Sequence, residues 1–72
     1  LQREKVASSS LDSVGYDIDS RVLEIAFRNG TVYHYQNVPQ QTWAQLMRAA
    51  SKGRYFDRAI RERYPFQRIE GE

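Results

Sequence analysis

The chain has 72 residues, a formal net charge of +2 and no cysteine. That length excludes more than one domain, and the missing cysteines exclude disulfides and thiolate zinc sites as staples. One histidine cannot supply an imidazole-only metal site, so the fold rests on its apolar core, to which nine aromatic residues contribute.

Residues 1–10 are polar and end in Ser8-Ser9-Ser10, with Val6 the one apolar anchor, so this segment reads as frayed. Val14, Tyr16 and Ile18 alternate with Gly15 and Asp17 and predict a first strand. Asp19-Ser20-Arg21 reads as a turn. A second strand follows from Val22 to Phe27, and a third from Thr31 to Gln36. Asn29-Gly30 between them is a hairpin signal, because both residues tolerate positive φ.

The length of that loop decides which face holds the tyrosines. A two-residue Asn29-Gly30 turn pairs Phe27 with Val32 and sends Tyr33 and Tyr35 away from Leu23, Ile25 and Phe27. A three-residue loop, Arg28-Asn29-Gly30 with Gly30 left-handed, pairs Phe27 with Thr31 and gathers all five on one face. The second register is favoured because it puts the large apolar bodies together. It leaves Glu24, Arg28, Val32, His34 and Gln36 on the opposite face.

Pro39 suits the first turn of a helix, with Asn37 or water meeting the free amides. Trp43, Leu46, Met47 and Ala50 then recur at i, i+3, i+4 and i+7, the apolar stripe of an amphipathic helix. Gly53 reads as its stop. A second helix is expected from about Arg54 to Tyr64, ended by Pro65. Phe56, Ala59 and Ile60 form its inner face, and Arg63 must snorkel outward or the helix must fray before it. The tail from Phe66 to Glu72 has no periodicity. The expected fold is α+β: a three-stranded antiparallel meander followed by two helices packed on one face of the sheet. Residues 1–72 make a single small domain with an ordered core over about 6–64. Leu1 is either a natural terminus or a cut within a longer protein.

Charge is unevenly placed along the chain. Residues 1–47 hold four basic and five acidic residues, whereas residues 48–68 hold seven basic and two acidic. Local potential, not net charge, decides which surface attracts a polyanion. Arg54, Arg58 and Arg61 fall at i, i+4 and i+7, on the outer face of the second helix, extended by Lys52 and Arg48. Guanidinium groups grip phosphates bidentately and stay charged at any physiological pH. Such a stripe can follow a nucleic-acid backbone. The competing reading is a solvated helix face, with Asp57–Arg61 and Arg58–Glu62 as supporting i, i+4 pairs. Arg54 and Arg58 are also i, i+4, and their repulsion opposes the helix, which favours a partner.

Tyr33 and Tyr35 resemble base-stacking aromatics, but in so small a domain they read first as core with hydroxyls at its edge. Trp43 reads as core and His34 as a cross-strand neighbour. Ser9, His34 and Asp17 have no spacing that supports a triad. There is no nucleophile elbow or phosphate-cradling glycine loop, so no catalytic residue, metal or cofactor is expected. No segment reads as a signal peptide or membrane span.

Val6-x-Ser8-Ser9, Val14-Gly15-Tyr16-Asp17, Leu23-x-Ile25-x-Phe27-x-x-Gly30, Tyr33-x-Tyr35 and Val38-Pro39 follow one another in order. Ala50-Ser51-x-Gly53-x-Tyr55-Phe56 and Ile60-Arg61-x-x-Tyr64 complete the series. In this order the chain resembles the KTSC domain family, short bacterial domains found alone or at the C-terminus of some lysyl-tRNA synthetases. The resemblance spans about residues 6–64. It implies a compact α+β domain, brings no catalytic residues, and suggests RNA binding through the synthetase fusion. The expected function is therefore a non-catalytic, cytoplasmic, monomeric module that binds RNA or another nucleic acid with low sequence selectivity. Arg48, Lys52, Arg54, Arg58 and Arg61 would contact phosphates. The alternative is a protein-interaction module that docks on a host through a sheet edge or the polar sheet face.

Overall fold

The computed structural model describes residues 1–71; Glu72, at the end of the tail expected to lack periodicity, lies outside the described residues. Five strands form one antiparallel sheet in chain order: β1 (Arg3–Lys5), β2 (Leu11–Asp17), β3 (Val22–Phe27), β4 (Val32–Tyr35) and β5 (Phe66–Glu70). Helices α1 (Gln40–Arg48) and α2 (Lys52–Ala59) lie between β4 and β5 in the chain. The α+β class holds, but the three-stranded meander is corrected to five strands. Arg3–Lys5 and Phe66–Glu70, placed outside the ordered core by the sequence, pair as the two edge strands.

The β3–β4 register is the three-residue one. Ile25 faces Tyr33, Leu23 faces Tyr35, and the Phe27 amide donates to the Thr31 carbonyl at 2.8 Å. Gly30 closes the loop with φ +95°, a conformation that side chains rarely adopt. Leu11, Val14, Tyr16, Leu23, Ile25, Phe27, Tyr33 and Tyr35 therefore share the inner face. Leu46 of α1, and Phe56 with Ile60 from α2 and its end, complete the core over that face. Leu11, Val14, Leu23, Ile25, Val38, Leu46 and Ile60 are sealed from solvent, each worth about 1.5–3 kcal/mol of gross burial. Tyr16 ties α1 down: its ring stacks on Trp43 with centroids 5.1 Å apart, and its hydroxyl donates to the Val38 carbonyl at 2.5 Å.

Three helix boundaries differ from expectation. Pro39 is the N-cap of α1 rather than part of its first turn, and no side chain caps that end. Gly53 does not stop α1, which ends at Arg48 with Ala49 extended beyond it, leaving Ala50 exposed. Gly53 instead sits in the first turn of α2, where a Cβ would lie 2.7 Å from Ser10 Oγ. It lets the helix approach the β1–β2 loop. Helix α2 ends at Ala59, five residues short of Tyr64, and Arg63 is exposed in the turn that follows.

The outer face carries a polar row across the sheet: Arg3, Gly15, Glu24, His34 and Gln67 are successive register partners. Gly15 has no side chain, so Arg3 reaches over β2 and its Nη1 donates to Glu24 Oε2 at 3.0 Å. Glu24 Oε1 pairs with His34 Nε2 at 2.6 Å. Nearer the loop, the Lys5 ammonium bonds Asp12 and holds its carboxyl below the usual range. The Asp19 amide, helped by Ser20, does the same for Asp17. No helix among the described residues is long and apolar enough to cross a membrane.

Aromatic rings fill the β4 side of the inner face. Phe56 of α2 meets Phe27 and Tyr35 edge-on at 5.3 and 5.4 Å. Burial, reinforced by the Tyr33 phenol beside it, pushes the Tyr35 hydroxyl up to about 12.

Two predictions follow from this packing. A Cβ at position 15 would stand 2.8 Å from the Gln2 carbonyl oxygen, so β1 must shift to admit it. Gly15→Ala is expected to destabilise by about 1–3 kcal/mol, lowering Tm by about 4–8 °C for each, and to speed amide exchange across Arg3–Lys5. Unchanged exchange there would refute the steric role. Tyr35 ionises near 10 in the unfolded chain and near 12 in the folded one, so the native state retains the proton between those values. Its stability contribution is complete below pH 10 and is lost as pH rises through 12. Tyr35→Phe should flatten the alkaline fall in denaturant midpoint. The part due to Tyr16, whose hydroxyl burial also pushes upward, should persist.

Candidate nucleic-acid interface

The basic candidates all lie on the helical layer, and the structure divides them. Arg48 ends α1, and Arg54 and Arg58 are one turn apart on α2. These three side chains line a shallow depression of about 430 Å³, with Gln45 and Tyr55 beside them. None of the three forms an ion pair with a carboxylate among the described residues; the salt bridges there belong to Arg3, Lys5, His34 and Arg61. The expected Arg58–Glu62 pair is absent from that set.

Lys52 and Arg61 are placed differently. The Lys52 ammonium turns back and donates to the Ala49 carbonyl at 3.0 Å, tying the short α1–α2 link. Arg61 lies beyond the end of α2 and bonds Asp57 at 3.3 Å. That pair is well exposed, so it restrains Arg61 weakly. The outer stripe of three arginines is thus a pair on α2 joined by Arg48 across the helix junction.

Local packing holds the cluster open. The Tyr55 hydroxyl donates to Gln45 Oε1 at 2.7 Å and fixes its ring between the helices. The Arg58 guanidinium carbon lies 5.6 Å from that ring's centroid, a cation–π contact that offsets part of its repulsion from Arg54. Ser51 caps α2, its hydroxyl accepting from the Arg54 amide at 3.4 Å. The sequence reading missed Tyr55 and Ser51 as parts of this site. A serine just ahead of a helix is a readable cap signal. The Tyr55–Gln45 bond joins two helices and has no local signature. Arranged in this way, cations around a shallow floor offer charge and hydrogen-bond donors suited to an extended anion. No group of three or more metal-ligating side chains is found among the described residues.

The sequence profile of the KTSC domain matches residues 7–64, and the chain belongs to that family. The fold is similar to the crystal structure of a KTSC domain protein from Yersinia pestis, with a TM-score of 0.93 and 43% identity over 96% of this chain and 97% of that one. A protein of Stutzerimonas stutzeri is 37% identical over 71 residues, covering 97% of this chain and 100% of its own length. A lysine–tRNA ligase of Nostoc punctiforme is 31% identical over 65 residues; the match covers 90% of this chain and 12% of the ligase.

The Ser51 cap is the most accessible handle on the cluster's geometry. Ser51→Ala should cost about 1 kcal/mol, lower Tm by about 4–8 °C, and raise hydrogen exchange at the Arg54 amide. Equal exchange in both proteins would show that the cap does not hold the first turn of α2.

Proposed function

We propose that this domain is a non-catalytic nucleic-acid-binding module, acting in the cytoplasm on RNA in preference to DNA. Arg48, Arg54 and Arg58 grip backbone phosphates with little regard to sequence. The observation that carries this reading is that Arg48, Arg54 and Arg58 line one shallow floor, none of them paired with a carboxylate among the described residues. Guanidinium–phosphate hydrogen bonds are directional and charge-assisted, and they release counterions from the nucleic acid on binding. Lys52 and Arg61 add positive potential at longer range. The lysine–tRNA ligase relatives support RNA as the polymer, because a similar segment is part of enzymes named for acting on tRNA.

A titration of short labelled single-stranded RNA at several salt concentrations tests the reading. Three phosphate contacts predict a slope of log affinity against log salt of about −2. Arg54→Ala combined with Arg58→Ala should weaken binding at least tenfold and bring the slope to about −0.7. Arg21→Gln, an equal loss of charge per site at the β2–β3 turn, should change little. No binding at low salt, or equal losses from Arg21→Gln, would refute the assignment.

A further inference from the structure

A second concavity opens on the other side of α2. It has a volume of about 890 Å³ and is lined by six aromatic rings, Phe27, Tyr33, Tyr35, Phe56, Tyr64 and Phe66. Phe66 is 56% exposed, although its ring lies 5.7 Å from that of Tyr35 and 5.9 Å from that of Tyr33. Core packing alone does not require an open aromatic wall of this kind, since an exposed aliphatic or polar residue would serve on an edge strand.

The polar groups around these rings point to a ligand. Tyr35 is only 3% exposed, and its hydroxyl has no hydrogen-bond partner among the described residues. Among the described residues no sealed side-chain polar atom lacks a partner, so this hydroxyl keeps some access to solvent, and Tyr35 is one of the residues that line the groove. Arg61 and Asp57, bonded to each other on the rim, supply donors and an acceptor. Arg68 stands opposite Tyr33 on β5, on the same face of the sheet.

We infer that this groove receives an unpaired nucleobase of the single-stranded RNA whose phosphates the arginines hold. The inference rests on the function proposed above and identifies where bases, rather than phosphates, are bound. A base is flat and offers π-faces to Phe66 and Tyr33 and a hydrogen-bonding edge to the Tyr35 hydroxyl and the Arg61–Asp57 pair. An extended peptide would pair along the β5 edge, whereas the ring faces of Phe66 and Tyr33 suit a flat group. Helix α2 joins the two sites: Phe56 and Asp57 face the groove, while Arg54, Tyr55 and Arg58 line the basic depression. A strand crossing α2 therefore meets cations on one side and rings on the other. Stacking accepts any base, so the groove adds affinity for single strands without a sequence code.

The test compares a short single-stranded oligouridylate with inorganic polyphosphate, which has the charge and no bases. Phe66→Leu and Tyr33→Leu should each weaken oligouridylate binding about tenfold and leave polyphosphate binding unchanged. Tyr35→Phe, which keeps the ring, should also weaken only the oligonucleotide. Uridine alone, which is uncharged, should shift the ring-proton resonances of Tyr33, Tyr35 and Phe66 but not those of Trp43. Full retention of oligouridylate affinity by Phe66→Leu would overturn the inference and leave the phosphate reading standing, as would unmoved ring signals with uridine. Ring shifts with N-acetyl-phenylalaninamide as large as those with uridine would also overturn it, by assigning the groove to a peptide side chain. Failure of the unmodified domain to bind polyphosphate would overturn the arginine reading, whereas ring shifts with uridine would still support the groove.

Discussion

Phe27 and Thr31 meet across a three-residue loop, and the aromatic half of the inner face with the helix over it depends on that pairing. Gly30 takes the positive φ that admits one extra residue, which sets Tyr33 and Tyr35 on the same face as Leu23 and Ile25. With the loop one residue shorter, those tyrosines would project to the far face and the helices would cover a thinner apolar surface. Phe56 would have no Tyr35 ring to pack against. Because Phe56 anchors α2, the position of Arg54 and Arg58 on the opposite side of that helix follows from the same loop.

The two sheet edges are held by different means. Strand β1 buries almost nothing and is retained by polar contacts, above all the Arg3 side chain lying across Gly15 to reach Glu24. Strand β5 is held by its pairing with β4 and by the Phe66 ring against Tyr33 and Tyr35. The β4–β5 ladder sets Phe66 opposite Tyr35 and Arg68 opposite Tyr33, on the inner side next to the aromatic groove, and a bulge follows them near Val32. The polar edge therefore closes the fold, whereas the aromatic edge leaves a concave surface open to solvent.

The central hairpin was readable because its signals are local and strong. Alternating Leu23, Ile25 and Phe27, a glycine able to turn, and two tyrosines that gain by facing inward admit one economical register. The edge strands were not readable for a matching reason. Arg3-Glu4-Lys5 and the segment from Phe66 to Glu70 are exposed throughout, so burial imposes no alternation on them; only pairing with β2 and β4 makes them strands. Gly53 misled because a helix stop and a close-packed helical glycine look alike in a sequence, and the deciding neighbour, Ser10, is more than forty residues away. The arginine set was half legible. Helical spacing found Arg54 and Arg58 but carried Arg61 along a helix that ends at Ala59. Arg48, read from the sequence as an extension of the stripe, meets it through a tertiary junction that periodicity does not encode.

That junction bears on why the cluster exists. Two arginines a turn apart on an eight-residue helix oppose its formation, and so short a helix has little intrinsic stability with which to offset them. The molecule has carboxylates available: Asp57 lies between the two arginines in sequence, and Glu62 lies four residues beyond Arg58. Asp57 bonds Arg61, and Glu62 lies beside the aromatic groove. The acidic side chains thus collect on the groove side of α2, and the junction side keeps uncompensated positive charge. Folding alone gains nothing from that separation, since mixing the signs would relieve repulsion at no loss of burial. Under the proposed function, the phosphates of a polyanion would supply from outside the counter-charge that the chain withholds from this surface.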